Sequence, residues 1–120
     1  YVNQVGGQDE LVFDGASCVR GSDASLRAQA PAWVETVMLT DWSRDGDTWV
    51  CAETDRHPPP DGDPAIYSAM VLGLRDYVKK SGFPGVLIGR SGGIDSALTA
   101  ALAADALGPE AVHCVMMPSP

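Results

Sequence analysis

The chain has 120 residues, enough for one small domain or parts of two. Its apolar fraction of 45% and charged fraction of 20% are those of a globular protein. They exclude a wholly disordered chain, a collagen and a disulfide-stapled mini-protein. No apolar run reaches the ~18 residues of a membrane span. A net charge of −8, from 16 acidic and 8 basic residues, disfavours partners such as nucleic acid or an anionic membrane, which need a positive surface. It is compatible with a local phosphate site built from backbone amides.

The chain begins Tyr1-Val2-Asn3-Gln4, without initiator Met or signal peptide, and ends Pro118-Ser119-Pro120 straight after an apolar run. Both ends read as cut, so a stretch of a longer protein is expected. Cys18, Cys51 and Cys114 are far apart and form no CxxC pair, and His57 and His113 are isolated, so neither a zinc site nor a redox pair is expected. Three unpaired thiols fit small buried or half-buried residues in a reducing cytoplasm.

Residues 1–55 read as β-rich. Gly6-Gly7 marks a loop, and Glu10 to Gly15 a short strand closed by an Asp-Gly turn, with Ser17-Cys18-Val19 as its hairpin partner. A run rich in Val, Thr and Trp, Ala32 to Leu39, reads as another strand. Asp41, Asp45 and Asp47 around Gly46 lack the spaced Glu of a calcium loop and read as a solvated turn. Trp33, Trp42 and Trp49 are expected in a core or between domains. Residues 56–64, Arg-His-Pro-Pro-Pro-Asp-Gly-Asp-Pro, change character, and three consecutive prolines suit an extended connector.

Beyond the connector the apolar period becomes helical. Asp63 and Pro64 are start signals, Ile66, Met70, Leu74 and Tyr77 line one face, and Ser81-Gly82 with Pro84 stops the helix. Gly85 to Gly89 reads as a buried parallel strand. A second helix follows from Ile94 to about residue 107, with Ile94, Leu98 and Leu102 on one stripe, stopped by Gly108-Pro109. Val112 to Met117 is the next strand. The second half is therefore a βαβ unit with one preceding helix, and the expected fold class is α/β. Lys79 and Lys80 suit the negative end of the first helix, and Arg75 reads as a surface or interface residue.

The chemistry is concentrated in Gly89-Arg90-Ser91-Gly92-Gly93-Ile94-Asp95-Ser96, between a strand and a helix. An open α/β sheet places its ligand there, beyond the carboxyl ends of its strands. Gly92 and Gly93 let the backbone turn and approach a bulky anion, and free amides at the helix start point toward it. Ser91 and Ser96 add hydroxyls. Asp95 would repel a bare phosphate, so its presence makes sense with Mg²⁺ held between the two. No GxxxxGK[ST] pattern is present, which excludes the ordinary P-loop.

Ser91 to Ser96 resembles the SGG[IVQ]DS pyrophosphate loop of the ATP pyrophosphatase superfamily. Val71 to Val78, Gly82-Phe83, the run from Ser91 to Gly108 and Met117-Pro118-Ser119 resemble the start of the synthetase domain of NAD synthetases. Tyr1 to Gly15 is similar to the late part of the nitrilase-like glutaminase domain that precedes it in glutamine-dependent members. The resemblance covers nearly the whole chain and is weakest between residues 20 and 64. It implies residues 1–55 as the C-terminal portion of an αββα nitrilase-like domain, 56–64 as linker, and 65–120 as the first βαβ unit of a doubly wound, Rossmann-like ATP pyrophosphatase domain.

The same resemblance implies the activity and the roles. ATP adenylates the carboxylate of nicotinic acid adenine dinucleotide, pyrophosphate leaves, and ammonia released from glutamine displaces AMP to give NAD. Ser91, Gly92, Gly93 and Ser96 would contact the β,γ-phosphates, with Ile94 in the same loop. Asp95 would bind Mg²⁺, and Gly89 and Met117 would flank the adenosine. The Cys, Glu and Lys of the glutaminase are expected upstream of Tyr1, since neither Cys18 nor Cys51 has the nucleophile's context. Arg90 departs from the Leu, Phe or Val usual at its position. The family implies a homo-oligomer, and this stretch alone is expected to be inactive, because faces and sheet edges of each domain would be open. The alternatives are another ATP pyrophosphatase-type enzyme, such as a GMP synthetase or tRNA thiolation enzyme, or a non-catalytic nucleotide-binding relic.

Overall fold

Eight short strands and two helices follow one another along residues 1–117, the residues described in this computed structural model. The chain is α/β and divides into two units, Tyr1–Gly6 with Phe13–Ala65, and Gly7–Val12 with the residues from Ile66 onward.

The N-terminal part is built of paired strands. β1 (Val5–Gln8) pairs with β2 (Leu11–Asp14) across a turn in which Asp9 adopts φ 50°. Asp tolerates that left-handed conformation better than most residues, so the hairpin closes there and Gly6-Gly7 lies inside a strand rather than in the expected loop. The expected partner of β2 goes elsewhere: β3 (Cys18–Arg20) pairs antiparallel with β4 (Leu26–Gln29). Around them, Asn3 donates from Nδ2 to Asp14 Oδ1 (2.8 Å) and from its backbone to Ser17 Oγ (3.0 Å). Ala28, Ala30 and Cys51 are the buried apolar residues of this unit.

The strand expected over Ala32 to Leu39 does not form. Pro31 offers no N–H, and Trp33 sits at φ 68°, its N–H donating to the Asp14 carbonyl (2.8 Å). A left-handed residue breaks the extended alternation that a strand needs. The acidic turn around Gly46 instead joins β5 (Trp42–Asp45) to β6 (Thr48–Cys51), with Asp45 opposite Thr48. Among the described residues no group of three potential ligands gathers round a metal position. Trp42 and Trp49 are 48% and 63% exposed on this ribbon, so neither takes the core place that was one of the two expected for them. A two-stranded ribbon buries little by itself. Within the proline-rich stretch, Arg56 forms an isolated bridge with Gln29.

In the second unit, α1 (Asp63–Lys80) leads to β7 (Val86–Arg90), α2 (Ile94–Leu107), a 3₁₀ turn at Pro109–Ala111, and β8 (Val112–Met116). β7 and β8 run parallel in register from Val86 opposite Val112 to Arg90 opposite Met116. The βαβ unit read from the sequence is therefore present. The helix faces differ from expectation. Leu72 and Val78 are buried on α1 while Ile66, Met70 and Tyr77 are exposed; on α2, Leu102, Ala103 and Ala106 are buried while Ile94 and Leu98 are exposed. Both exposed stripes lie on helix sides that no other described element covers. A Tyr67 hydroxyl donating to Asp105 Oδ2 (2.7 Å) ties α1 to α2.

Residues 7–12 sit against α1. The Gly7 N–H donates to Asp76 Oδ2 (2.8 Å), and Lys80 Nζ donates to the Gly7 carbonyl. Lys80 is thus bound to a strand and is not simply a charge at the helix end. Arg75 lies beside the same carboxylate, Nε to Asp76 Oδ1 3.4 Å. No described helix is long and apolar enough to cross a membrane.

Candidate nucleotide-phosphate site

β7 ends at Arg90 and α2 begins at Ile94, so Ser91, Gly92 and Gly93 make the whole connection. Gly92 has φ +86°, a conformation L side chains rarely adopt, and a Cβ built there meets nothing within 4 Å. The loop thus turns through a glycine whose open side is empty space. Gly93, at φ −80° and ψ 163°, is the N-cap of α2 and supplies no side-chain cap. The first amides of α2 therefore keep their donors for a ligand, at the positive end of the helix dipole.

The hydroxyls are placed unequally. Ser96 Oγ donates to the Gly93 carbonyl (3.0 Å), so its proton is engaged and its lone pairs remain. A phosphate contact from Ser96 requires that hydroxyl to rotate; an accepting role toward a cation or its water does not. Ser91 Oγ would lie 3.6 Å from a Cβ on Gly93, ordinary contact distance. Asp95 is exposed in the first turn of α2; its backbone carbonyl accepts from Thr99 Oγ1 (2.8 Å), and its carboxylate makes no ion pair among the described residues. One free carboxylate beside a phosphate cradle fits Mg²⁺, which is commonly held by one or two carboxylates together with substrate phosphates and water. Ile94 is 81% exposed at the start of the helix.

Gly89 and Met117, far apart in sequence, are brought together. A Cβ on Gly89 would stand 2.5 Å from Met117 Cε, so the methionine lies across the glycine, and the Met117 N–H donates to the Arg90 carbonyl (2.9 Å). Met117 is 55% exposed, an apolar surface at the strand ends. Pro118 and Ser119, which complete the motif after β8, lie outside the described residues. Arg90 is half-buried, and its Nε is enclosed without a hydrogen-bond partner among the described residues. The sequence marks Arg90 as a departure at this position; the enclosed Nε is what the structure adds.

The first unit has no comparable arrangement around its thiols. Cys18 borders a cleft of about 270 Å³ with Val2, Val19, Thr36 and Met38, and no carboxylate, histidine or lysine side chain lines it. Cys51 is buried, and Cys114, on β8, is exposed rather than covered as expected.

The NAD synthase family model matches residues 66–120. Over nearly its whole length the chain is similar to glutamine-dependent NAD(+) synthetases. It is 53% identical to that of Rhodobacter capsulatus over 99% of this chain and 22% of the relative. It is 46% identical to that of Acinetobacter baylyi over 98% of this chain and 21% of the relative. A solved structure of glutamine-dependent NAD+ synthetase from Acinetobacter baumannii, in complex with adenosine diphosphate, superposes with a TM-score of 0.89 at 47% identity, covering 98% of this chain and 22% of that one. These identities run across both units and the family match falls on the loop and its flanking elements, so the chain is similar throughout to glutamine-dependent NAD(+) synthetases and spans about 22% of the length of such a protein.

Proposed function

We propose that this chain is the junction of a bifunctional, cytoplasmic, homo-oligomeric ligase. Residues 1–55 are the end of a nitrilase-like glutaminase domain, 56–64 a linker, and 65–120 the start of a Rossmann-like ATP pyrophosphatase domain. The reaction is amidation of nicotinic acid adenine dinucleotide to NAD, with ATP and with glutamine as the ammonia source. The observation that carries this reading is the open cradle at Gly92, with the uncapped amides of α2 behind it, inside the stretch matched to the NAD synthase family. The ADP in the Acinetobacter baumannii structure supports a nucleotide as the ligand.

The residues then act as follows. Backbone amides from residues 92–96 and the Ser91 hydroxyl hold the β,γ-phosphates. Asp95 would hold Mg²⁺, which when bound would supply positive charge to offset that growing on departing pyrophosphate. A carboxylate oxygen of the dinucleotide attacks the α-phosphorus, and the α–β bridging bond breaks. Ammonia then attacks the acyl carbon and the bond to AMP breaks. Oriented amides stabilise the departing charge without reorganising. Gly89 and Met117 offer an apolar, close-approach surface for the adenosine.

The experiment is NAD formation by the complete protein that carries this stretch, with Mg·ATP, the dinucleotide acid, and glutamine or free ammonia. AMP, pyrophosphate and NAD should appear in equal amounts. Tight Mg·ATP binding with no NAD from either nitrogen source would instead identify a nucleotide-binding protein without the ligase reaction.

A further inference from the structure

Arg90 ends β7, and its backbone is pinned where its carbonyl accepts the Met117 N–H (2.9 Å). By strand alternation its side chain shares the partly covered side with Val86 and Ile88, opposite the exposed Leu87 and Gly89. Its Nε is enclosed without an acceptor among the described residues, and no described carboxylate forms an ion pair with it. A guanidinium is always charged and carries N–H donors in a fixed fork. Enclosing one of those donors without an acceptor is costly. A second cost comes from the helix that begins just beyond the loop. The N-terminus of α2 is positive, so a neighbouring cation is disfavoured unless an anion lies between them. Ser91, Gly92 and Gly93 bring no charge, and the Asp95 carboxylate is not paired with Arg90. A multi-oxygen anion seated in the loop relieves both costs at once.

We propose that Arg90 is a polyphosphate-anchoring residue. Its guanidinium donates to the β,γ-phosphates of a nucleoside triphosphate in the loop, and to pyrophosphate once the α–β bond has broken. The inference rests on residues 91–96 being the nucleotide cradle. It adds a discriminating element: ligands with the β,γ-phosphates engage Arg90, and a nucleoside monophosphate does not.

The test is calorimetric titration of the complete protein carrying this stretch with Mg·pyrophosphate, Mg·ATP and AMP. Wild type, Arg90→Leu, Arg90→Lys and Arg90→Gln are compared. Arg90→Leu should weaken Mg·pyrophosphate and Mg·ATP by about tenfold or more, the scale of one lost charge-assisted hydrogen bond, and leave AMP unchanged. Arg90→Lys should recover part of the loss. If Arg90→Leu does not fold, Arg90→Gln carries the same comparison. Wild-type affinity for pyrophosphate in the variants, or an equal loss for all three ligands with a lower melting temperature, overturns the inference and leaves the nucleotide reading standing. A wild-type protein that binds neither Mg·ATP nor pyrophosphate overturns both.

Discussion

Gly7 and Gly73 meet backbone to backbone: a Cβ on Gly7 would lie 3.0 Å from the Gly73 Cα and 3.3 Å from Asp76 Cβ. The glycine in strand β1 and the glycine in helix α1 together permit that approach. Asp76 and Lys80 then hold the N–H and C=O of Gly7 from the same helix. Gly7→Ala should destabilise the second unit by about 1–3 kcal/mol, because the opposing atom is backbone and cannot rotate away. Gly73→Ala should stay within about 1 kcal/mol of wild type, since its methyl meets Val12 Cγ2 at 3.1 Å, Val12 is 37% exposed, and helix propensity gains ~1 kcal/mol. Denaturant unfolding of the two variants, followed by helix circular dichroism, separates them.

Two adjacent glycines of the loop between β7 and α2 should respond differently. Gly92→Ala puts a side chain at φ +86° and should cost about 1–2 kcal/mol of stability from backbone strain alone. Gly93→Ala, at φ −80° with only Ser91 Oγ nearby, should fold within about 0.5 kcal/mol of wild type. Both should weaken Mg·ATP, roughly tenfold or more, if each added methyl costs one hydrogen bond to a charged phosphate. Thermal melts and ATP titrations on the same samples read the two effects independently.

The Asp95 carboxylate forms no ion pair among the described residues, so Asp95→Ala should cost at most about 1 kcal/mol of stability, the scale of a carboxylate at a helix N-terminus. Its effect should fall on the metal. Adding Mg²⁺ should strengthen ATP binding by the wild-type protein and have little effect on the variant; on the proposed function, the complete protein carrying Asp95→Ala should lose NAD formation while glutamine hydrolysis stays measurable. Retained Mg²⁺-dependent ATP binding in Asp95→Ala would remove the metal role assigned to this residue.

The hydrogen bond to Asp105 raises the Tyr67 hydroxyl above its ordinary ionisation range near 10. A group raised on folding contributes stability that is fully present below its unfolded value and is lost as pH rises through the folded value. The link between α1 and α2 should therefore weaken only under strongly alkaline conditions, and Tyr67→Phe should flatten that part of the stability profile. Tyrosinate absorbance, followed alongside helix circular dichroism across the alkaline range, tests this.

The second half of the chain was legible because local punctuation and apolar period agree there. Gly82, Pro84 and Gly108-Pro109 bracket elements whose patterns already differ, and α2 ends at Leu107, near where it was expected. The first half was less legible because its pairing depends on turns at Asp9, Ala16, Ala24 and Trp33, all at positive φ. Ala and Trp in that conformation carry no compositional signal. Periodicity located the apolar stripes of both helices but not which side is covered. The Leu72 and Val78 side is buried, and the Ile66, Met70 and Tyr77 side is open. At the loop, residue types indicated a phosphate ligand. Long-range geometry supplied Met117 across Gly89, and local geometry the engaged Ser96 proton and an Arg90 Nε without a partner among the described residues.

Written as coding sequence, the second unit is discontinuous. Gly7–Val12 precedes the proline-rich stretch, yet it packs and bonds with the helix that follows it. An expression product begun at Asp63 would leave Asp76 and Lys80 without the Gly7 groups they hold and would uncover the groove at Gly73. Excision at the prolines therefore removes the tip of the β1–β2 hairpin from the product. Restoring residues 7–12, by a tethered peptide or a circular permutation, returns to Asp76 and Lys80 the backbone groups that they hold. One half of the chain thus encodes a piece of the other's framework.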